Sequence, residues 1–256
     1  MLIKCPNTFM FGSAGFGGGY YIGVYKAMVE RWGYSELQQK SYYGMSSGSV
    51  MSLYILLGYT WEDLDKEFII VSELAKKYGI FMKASYYHDK LLKRFVYKDA
   101  YKKVSGKLFV GVANFHGKFV IISQWKSNRD LIDTIHASMH IPYYCGRYIN
   151  RINNKRCIDG GLSIQNYDFL EEKTLKIGVW STNIYDIKLT PSLTFKNSAK
   201  PNILYYHKIK QQGYTQLLNW SGDYINNNVY KSNKNNIKLY MFWLFRASED
   251  IVYKII

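Results

Sequence analysis

The chain has 256 residues, 48% hydrophobic and 21% charged with only 4 prolines, which describes a globular protein with room for one α/β domain and excludes a disordered or collagen-like chain. A formal charge of +15 predicts polyanionic partners, nucleic acid or anionic lipid headgroups, and the 25 tyrosines and 6 tryptophans suit either base stacking or a membrane interface. Cys5, Cys145 and Cys157 have no metal-ligand spacing, residues 1–11 lack the apolar core of a secretory signal, and the apolar runs 50–57 and 239–245 fall far short of the roughly 20 residues of a membrane span. The expectation is a reduced, intracellular protein, cytoplasmic or peripheral to a membrane.

Residues 7–12 read as a short strand that runs into Ser13, Ala14, Gly15, Phe16, Gly17, Gly18 and Gly19. Tyr21, Val24, Tyr25 and Met28 then recur at helical spacing, so 20–32 is an amphipathic helix opening at a glycine loop. Strand, glycine turn and helix make an anion-binding shape, because the first amides of a helix have no internal partner. The unit repeats: 40–43 is extended, 44–48 a sharp turn and 49–59 an apolar helix. Thr60, with Glu62 and Asp63 behind it, caps a helix to about residue 78. Segment 80–103, rich in Lys and Tyr, reads as a helical, surface-facing cover. Residues 108–113 and 118–123 form a hairpin through 114–117, and 129–138 is a short helix stopping before Pro142. Short extended pieces at 148–150 and 155–158 flank an Asn-Asn turn, and the second ends at Asp159, Gly160 and Gly161. A buried strand spans 175–181; from Asp186 the chain turns polar, with a low-complexity loop at 231–238 and apolar residues returning at 239–245 and 251–256.

Gly44, Met45, Ser46, Ser47 and Gly48 place a serine between two glycines at a strand-to-helix turn, which lifts a hydroxyl above the sheet and aims the following helix at it. Of the two serines, Ser46 alone has the required spacing. Backbone amides of Gly15, Phe16, Gly17 and Gly18 are candidate donors to an oxyanion. A dinucleotide loop fits poorly, since no acidic residue follows about twenty residues on at a second strand end; a phosphate loop lacks its Gly-Lys-Ser or Gly-Lys-Thr.

Glycine loop, serine turn and Asp-Gly-Gly, in that order, resemble the patatin-like phospholipase family. The resemblance spans residues 8–165: 15–28 resembles the oxyanion loop and first helix, 44–48 the nucleophile turn, Ala137, Ser138, Ile141 and Pro142 an Ala-Ser, Ile-Pro segment, and Asp159 to Leu162 the aspartate motif. Two positions depart from it, Ser13 standing for the usual first glycine and Gly17 for a frequent arginine, the latter as in the adiponutrin-type subgroup. The resemblance implies a three-layer α/β/α fold around a mostly parallel sheet, with residues 1–195 as the acyl hydrolase domain and 196–256 as a basic, aromatic extension packed on it or continuing it. It implies a dyad in which Asp159 takes the proton of Ser46 and later activates water, acting on carboxylic esters of phospholipids or other glycerolipids at an anionic membrane surface.

Neither cofactor nor metal is expected, and no nucleic acid. His207 follows Asp159 in the order of a Ser-Asp-His triad, yet its neighbours Tyr205, Tyr206 and Lys208 read as a wet helix face. His136 and His140, four residues apart, lack a third metal ligand and read as supporting or surface residues; His88 and His116 read as turn residues. Two rival readings remain: a catalytically impaired relative that binds anionic lipid, motivated by Ser13 and Gly17, and a basic nucleic-acid-binding protein.

Overall fold

A computed structural model of the chain describes residues 3–114, 118–142, 144–146, 151–152, 155–163, 169–181 and 184–225. Strand β1, Thr8–Phe11, is buried along its length and leads through a 3-10 helix, Gly15–Gly18, into helix α1, Gly19–Trp32. A short helix α2, Tyr34–Leu37, precedes strand β2, Ser41–Met45, and helix α3, Ser47–Leu57. Helix α4, Trp61–Tyr78, opens as its sequence predicts: the Thr60 hydroxyl accepts from the Asp63 N–H while the Asp63 carboxylate accepts from the Thr60 N–H. Then come α5, Ala84–Phe95, α6, Ala100–Val104, β3, Leu108–Ala113, β4, Phe119–Ile122, and α7, Asn128–Met139. Strands β5, Arg151–Ile152, β6, Lys155–Arg156, β7, Ile158–Asp159, β8, Thr174–Gly178, and β9, Ile187–Lys188, precede helices α8, Phe195–Ala199, and α9, Ile203–Leu218. The expected pieces at 148–150, the Asn153–Asn154 turn, His116, and segments 231–238, 239–245 and 251–256 lie outside the described residues.

The fold is the expected α/β organisation. Its main sheet runs β4-β3-β2-β1-β8-β9, with parallel pairs at its centre and β4 antiparallel on β3. Central parallel strands are covered on both faces and so read as unbroken apolar runs, as Thr-Phe-Met-Phe does in β1. Phe9 stacks on Tyr42 of the next strand at 5.2 Å, and Phe11 packs on Tyr21 of α1 at 5.2 Å. Each such buried ring contributes roughly 1.5–3 kcal/mol through the apolar surface it withdraws from water. In α3 every residue from Met51 to Leu57 is buried, so this helix has no polar face and sits inside the core.

One detail of register determines the site. Strand β2 pairs with β3 up to Met45 opposite Gly111, then leaves the sheet at Ser46. Strand β7 pairs antiparallel with β3 at the next positions, Asp159 opposite Val112. Because β4 already occupies the other edge of β3 there, β7 fills the row that β2 has vacated. The Asp-Gly-Gly turn therefore arrives where a straight β2 would have put Ser46.

Two readings need correction. Segment 80–103 is not merely a surface cover: Ala84, Ser85, Tyr87, Leu92, Phe95 and Ala100 are buried, because Tyr87, Leu92 and Phe95 fall on one side of α5 and its lysines on the other. His88 stands within α5, not in a turn. The polar appearance of the chain after Asp186 also conceals structure. The buried Asp186 carboxylate accepts the Lys176 N–H at 2.7 Å and pairs with the buried Lys176 ammonium at 3.5 Å, while that ammonium donates to Ile225 O at 2.8 Å. Arg31 of α1 donates to Leu217 O and Trp220 O, each at 3.0 Å, fastening the end of α9 to α1.

Candidate active site

Ser46 is the sole residue between β2 and α3, and it holds φ 55° and ψ −129°, a left-handed conformation that costs a side-chain-bearing residue on the order of 1–3 kcal/mol. The surroundings enforce it. A Cβ on Gly44 would stand 2.5 Å from Ser49 Cα, and one on Gly48 would stand 2.3 Å from Phe11 O, so only glycine lets the chain fold back this closely at either position. Ser138 pins the turn from α7: its hydroxyl accepts the Ser46 N–H at 2.9 Å and donates to Gly111 O at 2.7 Å. Ser49 donates its hydroxyl back to Ser46 O at 2.6 Å.

The Asp159 carboxylate accepts hydrogen bonds from the Gly161 N–H at 2.7 Å and the Ser13 hydroxyl at 3.4 Å, and the Ser46 side chain stands close enough to favour its charged form. Its own N–H donates to His140 O at 2.9 Å, the first carbonyl beyond α7. Burial, at 3% exposure, raises the carboxyl from 3.8 to about 6, against the opposing pull of Ser46, Gly161, Ser13 and nearby His140. A base tuned toward neutrality accepts a hydroxyl proton better than an ordinary carboxylate. Glycine is needed beside it too: a Cβ on Gly160 would lie 2.6 Å from Gly111 O, and one on Gly161 would lie 2.3 Å from Ser13 Oγ.

The glycine loop is tied to the serine turn by Ser47, whose hydroxyl accepts the Ala14 N–H at 3.0 Å. The second serine of the motif thus has a structural task. Gly15 holds φ +54°, and a Cβ there would strike Ser198 O of α8 at 2.4 Å. Gly17 donates its N–H to Ala14 O at 2.9 Å, and the i to i+3 pattern of the 3-10 helix engages Gly18 in the same way. Among the described residues the amides of Gly15 and Phe16 have no acceptor, so of the four candidate donors these two are available to a ligand.

Ser46 stands at the wall of a cleft of about 980 Å³, its open mouth included, whose lining is largely apolar. Phe16, Val50, Met51, Phe68, Leu91 and Met139 are among its walls, from the glycine loop, α3, α4, α5 and α7.

Of the histidines, His207 is exposed on α9. His136 and His140 are buried at 2% exposure each, not on the surface; the face of α7 that carries His136 turns toward α5, where His136 Nε2 lies 3.6 Å from Asp89 Oδ1, and His140 follows the helix end. Among the described residues no three His, Cys, Asp or Glu side chains are placed to hold a metal ion, and no disulfide joins the three buried cysteines. Sequence reasoning noted Ser138 only as part of a motif. Its bridge between the Ser46 amide and Gly111 had no signal beyond that Ala-Ser pair.

A model of the patatin-like phospholipase family matches residues 9–171, the stretch that holds the glycine loop, Ser46 and Asp159. Among curated proteins, human patatin-like phospholipase domain-containing protein 2 is 28% identical over 198 residues, covering 70% of this chain and 39% of its own length. A human 1-acylglycerol-3-phosphate O-acyltransferase is 26% identical over 174 residues, covering 64% of this chain and 35% of its own. The chain thus spans well under half the length of these relatives. Among solved structures, VipD from Legionella pneumophila is similar with a TM-score of 0.49 at 12% identity, covering 84% of this chain and 67% of that one.

Proposed function

Because the chain belongs to the patatin-like phospholipase family, we propose that it is a serine lipid acyl hydrolase that cleaves carboxylic esters of phospholipids or other glycerolipids through Ser46 and Asp159. The observation that carries this reading is the meeting of a strained, cleft-facing serine with a buried carboxylate raised to about 6.

Ser46 Oγ attacks the ester carbonyl carbon as its proton passes to the Asp159 carboxylate, and the carbonyl π electrons move onto oxygen. The oxyanion is received by the amides of Gly15 and Phe16, in the loop Gly15, Phe16, Gly17, Gly18, and each such donor is worth roughly 10²–10³ in rate. Collapse of the tetrahedral adduct expels the alcohol, which leaves with the proton from Asp159. Asp159 then deprotonates water, water attacks the acyl-Ser46 ester, and the fatty acid departs as Ser46 regains its proton. The same ester passes its acyl group to an alcohol when one displaces water, the chemistry named for the acyltransferase relative. No step requires a cofactor or a metal, and the apolar cleft suits a fatty acyl chain.

An anionic bilayer as the working surface is supported by the rim of that cleft. Ile80 lines it, and beside Ile80 stand Phe81, 68% exposed, Met82, Tyr78 and Tyr86, with Lys76, Lys77, Lys83 and Lys90 exposed around them. Tyr144, also in the lining, donates its hydroxyl to Ala199 O of α8, whose Phe195 is 81% exposed. Apolar tips ringed by lysine fit an interface of acyl chains under anionic headgroups. No helix among the described residues is long and apolar enough to cross a membrane. The hydrolase domain is drawn at residues 1–195 with 196–256 as its basic extension, and the packing of α9 along α1 supports an extension that continues the domain.

The test is release of fatty acid from mixed phosphatidylcholine and phosphatidylserine vesicles. Wild type releases it with a rate that is half-maximal near pH 6 and flat above, because only ionised Asp159 accepts the proton; Ser46→Ala loses at least about a thousandfold. Unchanged release by folded Ser46→Ala sinks the reading.

A further inference from the structure

The acyl cleft has polar groups where hydrocarbon alone needs none. Tyr54 lines it from α3, on the face that carries Ser47, Val50 and Met51, and its hydroxyl is buried with no hydrogen-bond partner among the described residues. This is at odds with how the chain treats several other tyrosines of its interior. Tyr21 donates to Gly12 O at 2.9 Å, Tyr25 to Tyr59 O at 2.8 Å, Tyr42 to Leu37 O at 2.8 Å, Tyr59 to Phe95 O at 2.8 Å and Tyr87 to Gly79 O at 3.0 Å. A phenylalanine at position 54 would fill the same wall without stranding a hydroxyl. Glu67, also in the lining and buried, pairs with Arg94 at 2.7 Å and makes no hydrogen bond to the Tyr54 hydroxyl.

His88, half-buried, adds a second polar group from the α5 wall. It has no hydrogen-bond partner among the described residues, and burial, with His136 and His140 nearby, holds its imidazole below the ordinary value and therefore neutral. A neutral imidazole offers one donor and one acceptor. Tyr54 stands eight residues along α3 from Ser46, about 12 Å at the rise of an α-helix and the reach of roughly nine or ten carbons of an extended chain.

We propose that the cleft selects acyl chains bearing a hydroxyl group near mid-chain, received by the Tyr54 hydroxyl and the His88 imidazole. This rests on the cleft being the acyl site of the hydrolase read above. A hydroxylated chain completes the hydrogen bonding of the wall, whereas a plain chain leaves Tyr54 stranded. A site built to bond a hydroxyl discriminates strongly against the analogue that lacks it.

The experiment separates binding from turnover. Calorimetric titration of the Ser46→Ala protein with 10-hydroxystearate and with stearate is expected to show about tenfold tighter binding of the hydroxylated acid. That advantage falls below about twofold when Tyr54→Phe or His88→Leu is added, and ligand-free Tyr54→Phe melts higher than its parent because a stranded hydroxyl is gone. Equal affinity for the two acids overturns the proposal, as does an advantage that survives both substitutions. Fatty acid release by wild type from dioleoyl vesicles judges the hydrolase reading on its own. Release without binding preference removes the hydroxyl site and keeps the hydrolase; preference without release keeps the site and removes the hydrolase.

Discussion

Two turns in adjacent parallel strands do opposite things with the same βα geometry. Between β1 and α1 the chain spends residues 12–18 on the crossing, winding the last four into a 3-10 helix; between β2 and α3 it spends Ser46 alone. The long turn distributes its conformational demand over glycines and leaves the Gly15 and Phe16 amides to present. The short turn concentrates the demand on one residue at φ 55° and presents a hydroxyl. Donors to an oxyanion must be several and aimed together, whereas a nucleophile must be single and projected; loop length decides which a turn provides. Ser47 joins the two through the Ala14 N–H.

The contrast is broken most severely at Asp159, the partner of the short turn. Asp159→Asn is expected to slow ester hydrolysis by about a thousandfold, roughly 4 kcal/mol of barrier, in initial-rate measurements at pH 8. The same variant gains stability there. Folding raises this carboxyl from 3.8 to about 6, so stability is fully present below pH 4 and is lost as pH rises through 6, by about 3 kcal/mol. Chemical unfolding at pH 8 should favour the variant by a sizeable share of that, and the advantage should shrink toward pH 4.

Gly48→Ala tests the tight packing of the short turn. With backbone oxygens of Phe11 and Gly12 at 2.3 and 2.5 Å from the new methyl, a loss of about 3 kcal/mol or more is expected in urea unfolding. Ser46→Gly compared with Ser46→Ala isolates the strain, since both lose the hydroxyl. The glycine variant should be the more stable by about 1 kcal/mol, the reverse of the usual order, because alanine keeps the left-handed penalty. The smallest effect belongs to the long turn: a methyl on Gly18 meets Phe68 at 3.5 Å and Ser47 at 3.8 Å, so Gly18→Ala should change the melting free energy by less than about 0.5 kcal/mol.

Both turns were legible in the sequence, because each rests on local signals, a glycine run before a helical pattern and a serine between glycines after a strand. The strand order around them was not. That Asp159 takes up the row β2 abandons depends on the register of β3 against β7, which is a tertiary fact. Segment 80–103 misled because lysines on the outer side of α5 outweigh in composition the Tyr87, Leu91 and Phe95 that face inward. The buried Lys176 and Asp186 were invisible for the related reason that each charge is tolerated only because the other is there. His88 carried no local pattern and Ser138 only its Ala-Ser pair; their meaning appears once α5 and α7 close over the serine turn.

The most direct test of the Ser46 and Asp159 pair is the site and pH dependence of labelling by a fluorophosphonate, read by peptide mass spectrometry. The account predicts one adduct, on the peptide containing Ser46, formed at a rate half-maximal near pH 6 and strongly slowed in Asp159→Asn. An adduct on another serine, or equal labelling of folded Asp159→Asn, would contradict it.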